Sequence, residues 1–112
     1  MKRTEGSLGV LIMGLDGIAV EKVWREGAAP GNLDVAVAEY TSLVRRASQG
    51  NEDTGLGELN EITVSNSHAV FIMRLLGEGY FLALIMEPEG NFGRGRFELR
   101  RAELKMQHEF VM

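Results

Sequence analysis

The stretch that determines the sheet is Leu8–Trp24, LGVLIMGLDGIAVEKVW, in which two apolar runs flank Gly14-Leu15-Asp16-Gly17. An Asp-Gly turn between apolar runs predicts a β-hairpin, because such turns need positive φ angles that Asp and Gly adopt at low cost. The first run is apolar on both faces, which predicts a central strand covered above and below. Glu21 and Lys22 interrupt the second run, so the second strand is expected at an edge.

The overall composition limits the class of protein. The chain has 112 residues, of which 45% are apolar and 25% are charged, which is typical of one globular domain over residues 1–112. A net charge of −4 argues against nucleic acid or an anionic membrane as a partner. The absence of cysteine excludes disulfides and fits a cytoplasmic protein. No run reaches the roughly 20 apolar residues of a membrane span, and no signal-peptide pattern is present.

The rest of the chain divides into helical and extended segments. Helical periodicity predicts one helix over Leu33–Ser48 and a closing helix over Phe92–Val111. The polar segment Gln49–Gly57 is expected to be a flexible connection. Three closely spaced strands then require an antiparallel meander. These strands are predicted at Glu58–Ser65, Ala69–Leu76 and Tyr80–Met86.

The apolar patterns also order the five strands. Strands one, four and five are apolar on both faces and should be central, whereas strands two and three are mixed and should be edges. A hairpin and a meander satisfy this condition only if strand five lies beside strand one, which gives the order 2-1-5-4-3. Helices must cover both faces of such a sheet, so the predicted fold class is α+β, a five-stranded antiparallel sheet with a long middle helix and a C-terminal helix.

Few residues point to catalysis. His68 and His108 are the only histidines, and neither has a second ligand at metal-binding spacing, so both are interpreted as surface or packing residues. The chain has no Gly-x-Ser-x-Gly elbow, and its acidic residues are scattered. The stretch Gly90–Arg96 lacks the spacing of a triphosphate-binding loop and is interpreted as the entry to the closing helix. We therefore predict no enzymatic activity, no cofactor and no metal.

The closing helix carries a basic set that has the charge to hold an acidic partner or RNA. Interleaved glutamates favour instead a solvated face with internal salt bridges, and no aromatic stacking platform accompanies the set. The basic residues are Arg94, Arg96, Arg100, Arg101 and Lys105, and the glutamates are Glu98, Glu103 and Glu109.

The order of elements and several short motifs resemble the roadblock family over roughly residues 7–110. The motifs are Met-Gly-Leu-Asp-Gly-Ile in the hairpin, Leu-Asp-Val and Ala-Glu-Tyr in the middle helix, and Asn-Phe-Gly-Arg-Gly-Arg-Phe-Glu-Leu-Arg-Arg at the closing helix. The chain looks closer to the bacterial, MglB-like branch. The resemblance implies a roadblock/longin/profilin-like fold and a homodimer in which the middle helix and strand three meet their symmetry mates. It also implies a cytoplasmic regulator that binds a Ras-like small GTPase and promotes hydrolysis without an arginine finger.

Strand three and the middle helix are the predicted dimer interface. As an edge without proline or lysine, strand three can pair with a two-fold copy, although Glu58 and Glu61 are able to protect it instead. The dimer-interface candidates are Val35, Ala38, Tyr40, Ile62 and Val64.

A second predicted contact lies on the closing helix, whose apolar residues form two seams roughly 120–140° apart. Family members usually have a helix before strand one, whereas only residues 1–7 precede Leu8, and the family's first helix is expected to be lacking here. The second seam should therefore meet another subunit or a partner. Its residues, the partner-contact candidates, are Phe97, Leu104 and Val111.

Three functions remain open from the sequence. The first is the GTPase regulator, in which Arg25, Arg94 and Arg96 are the first arginines to test should a finger exist after all. The second is a scaffold or adaptor that pairs with other roadblock-like chains and has no effect on hydrolysis. The third is a ligand-binding sensory module, which would need an internal pocket with polar groups that the apolar strands hardly supply.

Overall fold

The computed structural model describes residues 6–25, 30–77 and 79–110. Five strands and two helices follow one another along the chain. Their bounds are β1 Ser7–Gly14, β2 Ala19–Trp24, α1 Pro30–Thr54, β3 Glu61–Ser65, β4 Val70–Leu76, β5 Tyr80–Met86 and α2 Phe92–Phe110.

The strands form one antiparallel sheet in the order β2-β1-β5-β4-β3, which confirms the predicted topology. β5 lies in the middle, with Leu11 of β1 opposite Ala83 on one side and Phe71 of β4 opposite Ile85 on the other. All but the first residue of β5 are buried. Strands that are apolar on both faces exclude water from both sides, which is why they occupy the centre.

The β1–β2 hairpin turns at Gly14–Gly17. Gly17 has a φ of +90°, and its amide donates to the Gly14 carbonyl at 3.0 Å. Asp16 does not adopt the positive φ expected from the sequence. Its carboxylate instead accepts the Ile18 amide at 3.0 Å, so it stabilises the turn as a hydrogen-bond acceptor. The register between β1 and β2 shifts between Ile12 and Met13, which is a β-bulge.

Helix α1 is longer than predicted. It continues to Thr54, so the prediction of a flexible connection over Gln49–Gly57 is wrong for most of its length. The lone Gly50 costs only about 1 kcal/mol of helix propensity, which is too little to end a helix. The helix ends before Gly55, whose φ of +71° is the left-handed conformation common after helix C-termini. β3 is correspondingly shorter than predicted, and Glu58 precedes it.

The two helices cover opposite faces of the sheet, as strands that are apolar on both faces require. On one face, Val37 and Val44 of α1 are fully buried in a cluster with Phe71 of β4. On the other face, Leu99 of α2 is fully buried among side chains of β4 and β5. A Cβ at Gly95 of α2 would lie 2.6 Å from the Met86 sulfur, so this helix approaches β5 more closely than a side chain would permit.

Candidate interaction surfaces

The edge strand β3 presents backbone groups away from the sheet. The Leu75 amide donates to the Asn60 carbonyl at 3.0 Å, and the Asn66 amide donates to the Ala69 carbonyl at 2.9 Å. Antiparallel pairing alternates, so even-numbered residues of β3 bond to β4, while the amides and carbonyls of the odd-numbered residues point outward. The outward-facing residues are Glu61, Thr63 and Ser65. These groups can accept a further strand.

The flank of α1 beside β3 is partly apolar and exposed. The Tyr40 hydroxyl accepts a hydrogen bond from the Asn66 side chain at 3.1 Å, whereas Arg45 donates to the Leu15 carbonyl on the hairpin, and these bonds orient the helix over the sheet. Leu43 lies one turn after Tyr40 on the β3 side and is 43% exposed. Leu43 is one of the periodic apolar residues that predict a helix over Leu33–Ser48, so its exposure is not evident from the sequence.

The predicted dimer-interface residues occupy three environments. Val35 and Ala38 are exposed on the outer side of α1. Tyr40 is half-buried, and its ring packs edge-on against Phe71 with centroids 5.0 Å apart, so it also supports the core. Ile62 and Val64 are half-buried beneath α1 and pack against the core on that side of β3. Ala38 lies two turns before Arg45, on the flank of α1 that faces the hairpin, so the structure does not bring all five candidates to one side of the molecule.

The opposite side of β3 is held by ion pairs to α2. Glu61 accepts from Arg74 at 3.4 Å and from Arg96 at 3.0 Å, and Arg96 also donates to the Thr63 hydroxyl at 3.1 Å. Arg74 makes a further ion pair with Glu103, and both side chains are only 14% exposed. Two guanidinium groups thus neutralise the Glu61 carboxylate. This weakens its predicted alternative role as a charge that repels other strands.

The outer side of α2 carries two large exposed apolar side chains. Phe97 is 58% exposed and Leu104 is 55% exposed, whereas Leu99 on the sheet side is fully buried. The structure thus separates the two seams as the sequence predicted. Val111, the third member of the outer seam, lies outside the described residues. The Arg101 guanidinium lies 5.8 Å from the centre of the Phe97 ring, a cation–π distance.

The other edge strand, β2, is also apolar on its surface, which the sequence reasoning did not single out. Ile18, Val20 and Val23 are all about half exposed or more. Trp24 lies over the backbone of β1. Its ring is so close that a Cβ at Gly9 would come within 2.4 Å of it.

The three arginines considered as fingers all form ion pairs. Arg25 lies 3.4 Å from Glu87, Arg94 lies 3.1 Å from Glu98, and Arg96 bonds to Glu61 and Thr63 as described. His68 is exposed before β4, and the side chain of His108 is outside the described part of the chain.

Among the described residues, no group of three or more His, Asp or Glu side chains could hold a metal ion. Neither helix has, over its described length, an apolar stretch that could traverse a bilayer.

Solved structures show what this chain is similar to. A Roadblock/LC7 domain from Streptomyces avermitilis matches with a TM-score of 0.83 and 14% identity, covering 99% of this chain and 91% of that domain. MglC from Myxococcus xanthus matches with a TM-score of 0.72 and 30% identity, covering 96% of this chain and 89% of MglC. An MglB with a tetrameric arrangement matches with a TM-score of 0.82 and 16% identity, covering 95% and 79%. No protein-family model and no curated protein sequence matches the chain.

These likenesses define first a class of fold and then a family. The sheet order, the helices on opposite faces and the TM-scores establish the roadblock fold. The 30% identity to MglC extends over nearly the whole of both chains, which is more than a shared fold requires. This chain belongs to the roadblock family.

Proposed function

We propose that this protein is a non-enzymatic regulator that acts in the cytoplasm as a homodimer, binds a Ras-like small GTPase and modulates its GTP hydrolysis. Membership of the roadblock family and the similarity to MglC and MglB support the proposal. The observation that carries it is the β3 edge, where outward backbone groups lie beside exposed aliphatic side chains of α1. An edge of this kind suits pairing with an identical strand.

The proposed dimer joins two sheets through antiparallel β3 strands. The outward groups of Glu61, Thr63 and Ser65 would bond to their symmetry copies, while Leu43 and Val35 would pack against the partner's α1. The tetrameric arrangement of the MglB neighbour supports self-association of such folds. In a two-fold interface each surface packs against its own copy. The outward edge of β3 and the exposed side chains of α1 therefore need no surface of complementary charge elsewhere on the chain.

The proposed action on the GTPase rests on surface shape. Arg25, Arg94 and Arg96 are each paired with a carboxylate of this chain, so inserting any of them into a GTPase would first break an ion pair. This arrangement supports a regulator that reshapes the switch segments without contributing an arginine.

The dimer is tested by substituting Thr63, whose amide points outward. Thr63→Pro removes that amide, so the dissociation constant of the dimer, measured by sedimentation equilibrium, should rise about tenfold or more. Thr63→Ala is the matched control, since it also loses the hydroxyl bond to Arg96 but keeps the amide. A monomeric wild type, or equal dimerisation by the two variants, would contradict the proposed interface.

The GTPase is tested by affinity capture in parallel with GDP and with a non-hydrolysable GTP analogue. We expect a small GTPase chiefly with the analogue, and its hydrolysis rate should change when the wild-type protein is added but less with Thr63→Pro. Equal recovery of a larger complex in both nucleotide states, with no change in hydrolysis, would favour the scaffold function instead.

A further inference from the structure

The outer side of α2 combines an apolar centre with a basic rim. Phe97 and Leu104 are seven residues apart, which places them on one side of the helix roughly 10 Å from each other along its axis. Arg100 and Arg101 are both exposed, and at 100° per residue they lie on either side of that apolar line. We call Phe97, Leu104, Arg100 and Arg101 the α2 crest.

The two acidic residues of α2 whose side chains the structure describes, Glu98 and Glu103, both form ion pairs. The Glu98 side chain is 13% exposed and lies near both Arg94 and Arg101, at 3.1 and 3.5 Å. The Glu103 side chain is held against Arg74 of β4. The sequence predicted that interleaved glutamates would balance the basic set on one solvated face. The structure confirms such salt bridges for Glu98, but Glu98 is shared between two arginines and Glu103 pairs with β4, so the described side chains of the crest and Arg94 keep a net positive charge.

This charge separation contrasts with the whole chain, whose net charge is −4. The bulk of the molecule therefore repels polyanions such as RNA or an anionic bilayer at long range. A partner that reaches only the crest avoids that repulsion, and one with apolar side chains of its own also covers Phe97 and Leu104. An amphipathic helix with carboxylates along its margins has both properties.

We propose that the α2 crest is a docking site for an acidic amphipathic helix of another protein. Apolar side chains at helical spacing would cover Phe97 and Leu104, and carboxylates on either margin would pair with Arg100 and Arg101. The crest is on the opposite face of the sheet from α1, so an occupant of the crest leaves the α1 contacts of the proposed dimer uncovered.

The experiment selects partners by chemistry. A displayed library of helical peptides is selected on the wild-type protein and counter-selected on the double variant Phe97→Ser, Leu104→Ser. We expect acidic peptides with large apolar residues at i, i+3 or i+4, and i+7. Their affinity, measured by fluorescence anisotropy, should fall about tenfold or more with Arg100→Glu plus Arg101→Glu, and should also fall as salt is raised.

Matched controls lie away from the crest. Arg46→Glu reverses an exposed charge on α1, and Leu56→Ser removes an exposed apolar side chain just after that helix, so both should leave peptide affinity within about twofold. Unchanged melting of the crest variants verifies that they fold.

Several results would overturn the proposal. They are selection of neutral or basic peptides, failure to enrich any, and retained binding by the crest variants. Vesicles of phosphatidylcholine with phosphatidylserine and a short single-stranded RNA serve as parallel probes. Crest-dependent binding of either, without acidic peptides, would assign the crest to that ligand and refute the protein partner.

Discussion

The two edges of the sheet are stabilised in different ways. β3 is held on one side by an ion-pair network that joins Glu61 to Arg74 and Arg96, and on the other by the apolar contacts of Ile62 and Val64. β2 has most of its residues exposed, a bulge near its own start, and adjacent opposite charges at Glu21 and Lys22. Its main anchor is Trp24 over Gly9.

This difference indicates which edge is suited to pairing. A pairing strand must be ordered before its partner arrives, because ordering it afterwards costs binding free energy. The network orders β3 through side chains directed towards α2, and leaves the outward backbone groups of the same residues available. On β2 the bulge and charges disfavour further pairing, as they do on many exposed edges.

The largest expected effect is on the β3 network. Arg74→Met should lower the free energy of unfolding by about 3 kcal/mol, because the largely buried Glu103 carboxylate loses this guanidinium and Glu61 keeps only Arg96 of its two arginines. Arg25→Met removes an exposed ion pair to Glu87 and should cost under about 1 kcal/mol. Urea denaturation measures both. Equal losses would show that the two edges are not held differently.

A smaller effect is expected at the anchor of β2. Trp24→Ala should cost about 2 kcal/mol, below the usual loss for a fully buried tryptophan because its side chain is half-buried. Val23→Ala, on the same strand and about half exposed, should cost under about 1 kcal/mol in the same assay. If Val23 proved as costly as Trp24, β2 would be stabilised along its whole length, not at one residue.

The smallest effect concerns single backbone amides. The amides of Thr63 and Trp24 both point away from the sheet by the alternation of antiparallel pairing. In hydrogen exchange followed by NMR, Thr63 should exchange about tenfold more slowly at high than at low protein concentration, a difference of about 1.4 kcal/mol. Trp24 should not respond. Slowing at Trp24 alone would place self-association at β2.

Most of the sheet could be predicted from the sequence because its signals are local. Runs that are apolar on both faces marked β1, β4 and β5 as central, and this alone restricted the strand order to one solution. The end of α1 was harder to predict, because polar residues such as those at 49–54 are compatible with both helix and loop. Only the positive φ of Gly55 marks where the helix has ended.

The candidate surfaces were predicted less completely. The outer seam of α2 follows from helical periodicity, and Phe97 and Leu104 are exposed as that pattern requires. The exposure of Leu43 depends on how α1 is oriented over the sheet. Two hydrogen bonds establish that orientation, one between Tyr40 and Asn66 and one between Arg45 and Leu15.

Amphipathic periods of two and of 3.6 residues are properties of neighbouring residues, so the chain order alone predicted the strands, the presence of both helices and the two seams of α2. The charges follow a different rule. Glu61 meets Arg96 across 35 residues of chain, and Glu103 meets Arg74 across 29. Such pairs exist only once α2 has packed on the sheet, because an ion pair depends on separation in space, which no local pattern encodes. Packing thus neutralised the β3 edge and left the α2 crest basic.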